Sequence, residues 1–272
     1  MDLLVVGGTG LLGREVTQQA LAKGLDVAAT FYSGTPTTAA ARWRRLDIRR
    51  RDEVMALVDE LRPRAVVNAA YQQADWVTTA DGGTHVALAA AAAGARLVHV
   101  SSDAVFSGDA ERYDERATPD PTTPYGAAKA AAETAVKAIV PGAVIARTSL
   151  IIGYGDSQHE RHVHALTTGA ATGALFTDDI RCPVHVADLA AALLELSDAG
   201  SHGIQHVGGA EAVSRHELGV LIARRDGLDP GRLPAALRAA AGIPGPVAVR
   251  LDGAATRARL GTRLRGAREF LS

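Results

Sequence analysis

Tyr125 and Lys129 stand four residues apart in Tyr125-Gly126-Ala127-Ala128-Lys129, a spacing that places both side chains on one face of a helix. A phenol titrates at about pKa 10, too high for easy proton exchange at neutral pH. An ammonium beside it favours the phenolate and lowers that value. A tyrosine placed in this way hands its proton to a carbonyl oxygen while hydride arrives at the carbon. A third group must bond and polarise the same oxygen, and Ser102 offers a hydroxyl just after the apolar run Leu97–Val100. A Tyr and a Lys one helical turn apart are by themselves a common surface pair. What raises this pair above that reading is a glycine loop upstream and the serines that close the intervening strand.

That loop is Gly7-Gly8-Thr9-Gly10-Leu11-Leu12-Gly13, which follows directly on Leu3-Leu4-Val5-Val6. It satisfies G-x-G-x-x-G from Gly8 and G-x-x-G-x-x-G from Gly7. One glycine permits the tight turn, another lets the backbone approach a pyrophosphate, and the third lets helix and strand pack closely. The phosphates then rest on the unpaired N–H groups of a helix start. A strand before the loop and a helix after it supply the required context, so a dinucleotide is expected here. In NAD-binding proteins an acidic residue at the end of the second strand normally takes the ribose 2′-hydroxyl. This chain has Thr30-Phe31-Tyr32-Ser33 there, and Asp26 lies at the wrong end of the strand. Nothing would repel a 2′-phosphate, and Thr30 and Ser33 could bond it. Arg42, Arg44 and Arg45 are candidate counter-charges or a solvated face. NADP(H) is therefore expected over NAD(H).

These residues need elements to hold them. Leu3–Val6, Val27–Phe31, Ala65–Asn68, Arg96–Val100 and Val144–Ala146 read as strands; residues 14–23, 54–61, 84–93 and 124–138 read as helices. Thr123 with Pro124 behind it is a good start for the last of these. Sustained alternation predicts a doubly wound α/β fold: a Rossmann-type parallel sheet covered by helices on both faces. After Arg147 the rhythm loosens. Asp188 is expected to cap a helix, Ser214-Arg215-His216-Glu217 is a capping box, and 228–247 reads as short helices and turns. The expected organisation is a dinucleotide-binding domain over 1–150, rejoined at about 183–202, with a smaller substrate-binding lobe over 151–272.

Composition excludes several alternatives. The 272 residues carry 29 basic and 30 acidic side chains, net charge −1, without the basic surplus that nucleic acid or an anionic membrane usually requires. A single cysteine, Cys182, rules out an internal disulfide and fits a reducing compartment. Leu3–Val6 is too short for a signal or a span. A soluble cytoplasmic protein is expected.

Taken in order, Gly7-x-x-Gly10-x-x-Gly13, Leu46-Asp47-Ile48, Asn68-Ala69-Ala70, Ser101-Ser102-Asp103-Ala104-Val105-Phe106, Tyr125-x-x-x-Lys129 and Arg147-Thr148-Ser149 resemble the extended short-chain dehydrogenase/reductase family, and within it the dTDP-4-dehydrorhamnose reductase branch. The resemblance covers nearly the whole chain. It implies that Ser102 matches the catalytic Ser/Thr, Tyr125 the proton donor, and Lys129 the residue that lowers the tyrosine pKa and holds the nicotinamide ribose. Gly7, Thr9, Gly10, Leu11, Leu12 and Gly13 would hold the pyrophosphate. Tyr32, Ser33, Asp47 and Ile48 would flank the adenosine, and Ala69, Ala70 and Tyr71 would line the cofactor. Asp103, Ala104, Arg147 and Leu150 would lie toward the substrate. The branch usually has a tyrosine where this chain has Ala104 and a tryptophan where it has Leu150. An asparagine usual after the fourth strand is absent from 79–84.

The expected activity is NADP(H)-dependent reduction of a keto group, on a nucleotide-linked deoxysugar or a similar polar molecule. An NAD-retaining sugar-nucleotide epimerase or dehydratase and a non-catalytic cofactor-binding subunit are the alternatives. A homodimer is among the assemblies open to such a chain. His159, His162 and His164 cluster with Glu160 at a spacing that permits metal ligation, but the stretch reads as a polar loop over the substrate cleft, and no metal is expected. Arg147 reaches substrate or pairs with a carboxylate, Arg49–Arg51 reads as a solvated helix start, and Cys182 reads as a buried strand residue.

Overall fold

The computed structural model describes residues 1–198 and 200–272. In chain order the first half comprises β1 (Leu3–Val6), α1 (Leu11–Ala22), β2 (Val27–Phe31), β3 (Arg42–Arg45), α2 (Arg51–Leu61), β4 (Ala65–Asn68), α3 (Gly82–Ala93), β5 (Arg96–Ser102), α4 (Pro124–Ile139) and β6 (Val144–Thr148). The second half adds β7 (Ile151–Ile152), α5 (Gln158–Thr168), β8 (Leu175–Phe176), β9 (Ile180–Arg181), β10 (Val184–His185), α6 (Val186–Leu196), β11 (Gly203–His206), β12 (Val213–Ser214), α7 (Arg215–Arg225) and β13 (Ala235–Ala236), then two single-turn helices, α8 (Ala254–Arg257) and α9 (Ala267–Phe270).

Seven parallel strands form one sheet in the order β11-β6-β5-β4-β1-β2-β3. Successive side chains of β1 point to opposite faces. Leu3 and Val5 join an apolar cluster with α1 and α6, while Leu4 and Val6 join another with α2 and α3. Helices therefore cover both faces, as expected, and a strand buried on both sides has no polar alternation to show. A third cluster, including Ile152, Val163, Leu175, Leu218 and Ile222, lies beyond the sheet among α5, α7 and the short strands.

The structure revises several expectations. α1 begins at Leu11 rather than 14, because Gly10 (φ −71°, ψ 163°) is already its N-cap. The arginine-rich segment 42–45 is the edge strand β3, paired with β2; an edge tolerates outward charge because one side is unpaired. A π-helical turn, Val77–Asp81, precedes α3. Residues 203–206, expected within the smaller lobe, pair with β6 as the opposite edge. His185, not Asp188, caps α6, its ring accepting from the Ala187 N–H; Asp188 instead holds Arg265 at 2.8 Å. The histidine-bearing stretch is not a loop but helix α5, opened by a full capping box between Ser157 and Glu160. Thr123 caps α4 as expected, accepting from Gly126 N–H at 3.1 Å. Among the described residues no helix is long and apolar enough to cross a membrane.

Strand order decides where a ligand can sit. From β1 the chain first winds outward through β2 and β3, then crosses back to β4 on the other side. The connections leaving β1 and β4 diverge, opening a crevice at their carboxyl ends. Gly7 follows β1 there, and Ala69, Ala70 and Tyr71 follow β4.

Candidate functional site

The glycine loop is shaped by contacts that no other residue meets. Gly7 has φ +85°, and a Cβ on it would lie 2.9 Å from the Ala70 backbone. A Cβ on Gly13 would lie 2.1 Å from the Gly7 carbonyl oxygen, so the first turn of α1 packs directly on the end of β1. No side chain caps the first amides of α1, and such unpaired N–H groups suit an anion. Thr30, expected toward a 2′-phosphate, is instead turned inward. It is 2% exposed, and its Oγ1 accepts from Gly7 N–H at 3.0 Å. Its hydroxyl shapes the loop and is not free for a ligand.

On one side of the loop is a chamber of about 510 Å³ lined by Gly7, Thr9, Gly10, Tyr32, Ser33, Asp47, Ile48, Arg49 and Ala69 to Tyr71 among others. This gathers all the residues expected around adenosine. Of the candidate counter-charges, Arg42 pairs with Asp26 and Arg44 with Glu60 at 3.2 Å, so both are occupied elsewhere. Arg45 lies over the Tyr32 ring, 5.9 Å from its centroid. Arg49 is not a merely solvated side chain. It bonds Asp47 through Nε at 2.9 Å and Nη2 at 2.7 Å and donates to Tyr32 Oη at 2.9 Å. The Arg49 guanidinium holds the Asp47 carboxyl below the usual carboxylate range.

On the other side is a chamber of about 690 Å³ that includes Thr9, Gly10, Leu11, Leu12, Gly13, Ser102, Tyr125 and Lys129 in its walls. Thr9, Gly10, Ala69, Tyr71 and Gln72 line both spaces, so they form one cleft. Ser102 ends β5, in register with Thr148 of β6. Tyr125 and Lys129 project from the first two turns of α4. Lys129 is 3% exposed, and its Nζ donates to Val100 O at 2.9 Å. Burial lowers the Lys129 pKa to about 8, opposed by the Glu133 carboxylate. Burial raises that of Tyr125, with the Ser102 hydroxyl pulling the other way. The Lys129 ammonium, from which the sequence predicts a lowering, does not outweigh that burial. The ammonium is bonded to the Val100 carbonyl and lies 5.0 Å above the Tyr71 ring, and desolvation of the phenol dominates. Tyr71 packs 5.8 Å from Tyr125 between ring centroids.

The four residues expected toward substrate behave differently. Arg147 is fully buried. Its Nε and Nη2 hold both oxygens of Glu133, at 3.0 and 2.7 Å, and its guanidinium lies 5.0 Å over the Phe106 ring. It is a core ion pair and does not reach the cleft. Asp103 is also buried, accepting from Ser149 Oγ at 2.6 Å and Ser102 Oγ at 3.3 Å. Leu150 belongs to the third apolar cluster, and the Ala104 carbonyl abuts Gly126, where a Cβ would come within 2.0 Å. Among the described residues, none of the four lines either chamber. The outer wall consists instead of Ser157, Gln158, His159 and Arg161 at the start of α5, with Gln72 and Gln73. The sequence of this stretch reads as a polar loop over the substrate cleft, although Ser157-x-x-Glu160 is the capping signal that marks the helix.

Of the other two histidines in the cluster, His162 is exposed and His164 is paired. His164 Nε2 meets Asp226 at 2.6 Å, and Glu160 is spent on the amides of Gly153, Gly155 and Ser157 and on Arg225. Cys182 is buried, and burial pushes its thiol up to about 11, unlike a reactive thiolate.

A doubly wound parallel sheet, a glycine loop at its switch point, and serine, tyrosine and lysine in one cleft define an extended short-chain dehydrogenase/reductase. The chain belongs to the family described as RmlD substrate binding domain, which matches residues 1–272. It is 34% identical over 247 residues to a dTDP-4-dehydrorhamnose reductase of Mycobacterium tuberculosis, covering 85% of this chain and 77% of that one. It is 33% identical over 235 residues to the probable low-salt glycan biosynthesis reductase Agl14 of Haloferax volcanii, covering 80% and 78%. The crystal structure of a hypothetical dTDP-4-dehydrorhamnose reductase from Sulfolobus tokodaii matches with a TM-score of 0.84 at 27% identity over 97% of each chain.

Proposed function

We propose that this protein is an NADP(H)-dependent reductase of a keto group on a nucleotide-linked deoxysugar. The observation that carries the reading is that Ser102, Tyr125 and Lys129 line the same cleft as the glycine loop. A bound nicotinamide dinucleotide would supply hydride to the carbonyl carbon. The α1 amides and the loop backbone fit its pyrophosphate, and the chamber of Tyr32, Ser33, Asp47 and Ile48 fits its adenosine. Tyr125 keeps its proton at neutral pH because burial disfavours the phenolate, so the acid is held ready at Oη. Ser102 Oγ would share the carbonyl oxygen with it. Lys129, with a pKa of about 8, is mostly an ammonium at neutral pH and would hold the ribose of the bound nicotinamide.

Preference for a 2′-phosphate rests on charge. The end of β2 carries no carboxylate, Asp47 is neutralised by Arg49, and Arg45 lies over the Tyr32 ring. The name of the similar mycobacterial reductase supports the sugar-nucleotide substrate. The test is cofactor oxidation with a panel of keto-sugar nucleotides. Wild type should turn over, and Tyr125→Phe should be slower by roughly 10²- to 10⁴-fold with unchanged NADPH affinity. Equal rates would overturn the assignment.

A further inference from the structure

We propose that His159, locked by Arg215, is a specificity-determining residue that offers an uncharged Nε2–H to an oxygen of the sugar. The inference rests on the reductase reading above and deepens it. His159 is the second residue of α5 and lines the chamber together with Ser102 and Tyr125. Its Nδ1 is 3.1 Å from Nη1 of Arg215, the first residue of α7. A guanidinium can only donate, so Nδ1 is the acceptor and the ring's single proton is on Nε2. The ring therefore has a fixed tautomer, set by its neighbour.

Arg215 is itself held in place. Its backbone N–H donates to Asp179 O at 2.9 Å, and its Nε lies 3.7 Å from the Asp179 carboxylate. That carboxylate, 1% exposed, also takes Arg181 at 2.8 Å and Arg238 at 3.0 Å, while Asp103 stands 3.7 Å from Arg181. Arg215 thus sits within a buried cluster of guanidiniums and carboxylates. A second proton on His159 would face the Arg215 guanidinium in a desolvated place. Burial and Arg215 push its pKa down to about 3, helped by His162 and opposed by Glu160. The Glu160 carboxylate is already committed to Arg225 and backbone amides. His159 stays neutral across the working pH range, so its donor does not vary with pH. A neutral N–H suits a hydroxyl, ring or carbonyl oxygen of a sugar, whereas a phosphate is better met by a cation.

His159→Phe should raise KM for the keto-sugar nucleotide roughly 2- to 12-fold, the loss of one neutral hydrogen bond, with kcat, NADPH affinity and inhibition by free dTDP unchanged. His159→Gln, which keeps an N–H at similar reach, should restore most of the loss. Arg215→Met removes the donor that fixes the tautomer, so KM should rise toward the His159→Phe value. In ¹⁵N spectra of the free wild-type protein, His159 should be neutral and Nε2-protonated at about pH 6, below the ordinary histidine value. An imidazolium or an Nδ1–H there overturns the lock whether or not substrate is known. An unchanged KM in His159→Phe, or dTDP inhibition weakened equally, overturns the sugar contact while leaving the reductase reading standing. Wild type that turns over no keto-sugar nucleotide refutes the reductase reading and the sugar contact with it.

Discussion

Replacing Arg147 with Met distinguishes a core residue from a substrate ligand. The side chains of Arg147 and Glu133 are 0% and 5% exposed, so neither charge is screened by water. Two guanidinium nitrogens meet both carboxylate oxygens, Nη1 holds Ala117 O at 3.1 Å, and Ser101 Oγ donates to Glu133 at 2.5 Å. Removing one member of such a pair leaves the other buried and uncompensated, at about 3–5 kcal/mol. For a chain of this size that corresponds to a fall in Tm of roughly 5–9 °C. The pair also ties α4, which carries Tyr125 and Lys129, to β6, and Ser101 extends the tie to β5 beside Ser102. The assay is thermal unfolding by circular dichroism, with KM for the keto-sugar nucleotide measured well below the transition. Arg147→Met should lower Tm with KM little changed, and adding Glu133→Leu should recover much of the loss, because an apolar pair avoids the desolvation penalty. An unchanged Tm with a large rise in KM would refute this account and restore Arg147 to the substrate site.

Gly13→Ala should weaken NADPH binding by roughly 10- to 100-fold, since its Cβ would lie 2.1 Å from Gly7 O and such overpacking forces a backbone shift; a titration with normal affinity would contradict the packing. The Lys129 ammonium is present below and lost above about pH 8, so kcat/KM, which reports the free enzyme, should fall as pH rises through about 8, and Lys129→Met should lack that limb. Because burial lowers the Lys129 pKa from 10.5 to about 8, the unfolded chain binds more protons between those values. The residue's destabilising effect should therefore ease as pH rises through that window, an easing that denaturant titrations of wild type would show and those of Lys129→Met would lack. Arg45→Ala should reduce the preference for NADPH over NADH by roughly 10-fold, the worth of one charge-assisted contact; equal loss for both cofactors would place the arginine away from the 2′-phosphate.

Much of this molecule is local in origin and so legible in the chain. Four consecutive apolar residues ending in Gly7 and Gly8, a threonine–proline cap before α4, and Tyr125 one turn before Lys129 are patterns of neighbouring residues. Their geometry follows from helix and strand periods. The alternation of such segments was enough for the doubly wound sheet. The capping box at Ser157 is equally local, but its polar surroundings make the stretch read as a loop.

What the chain order could not convey is which partner each polar side chain finds. Arg147 and Glu133 are 14 residues apart and face each other only once α4 lies on β6. Arg42 and Arg44 are spent on Asp26 and Glu60, whereas Arg49 curls onto Asp47 and Tyr32, and nothing in the arginine-rich run distinguishes them. The direction of the Tyr125 shift likewise depends on burial of its ring, not on its distance from Lys129 along the helix. His159 and Arg215 are 56 positions apart and meet because α5 and α7 pack together. Periodicity and caps act over a few residues and are written in sequence. Charge pairing and desolvation act through space, so only the packed structure decided them.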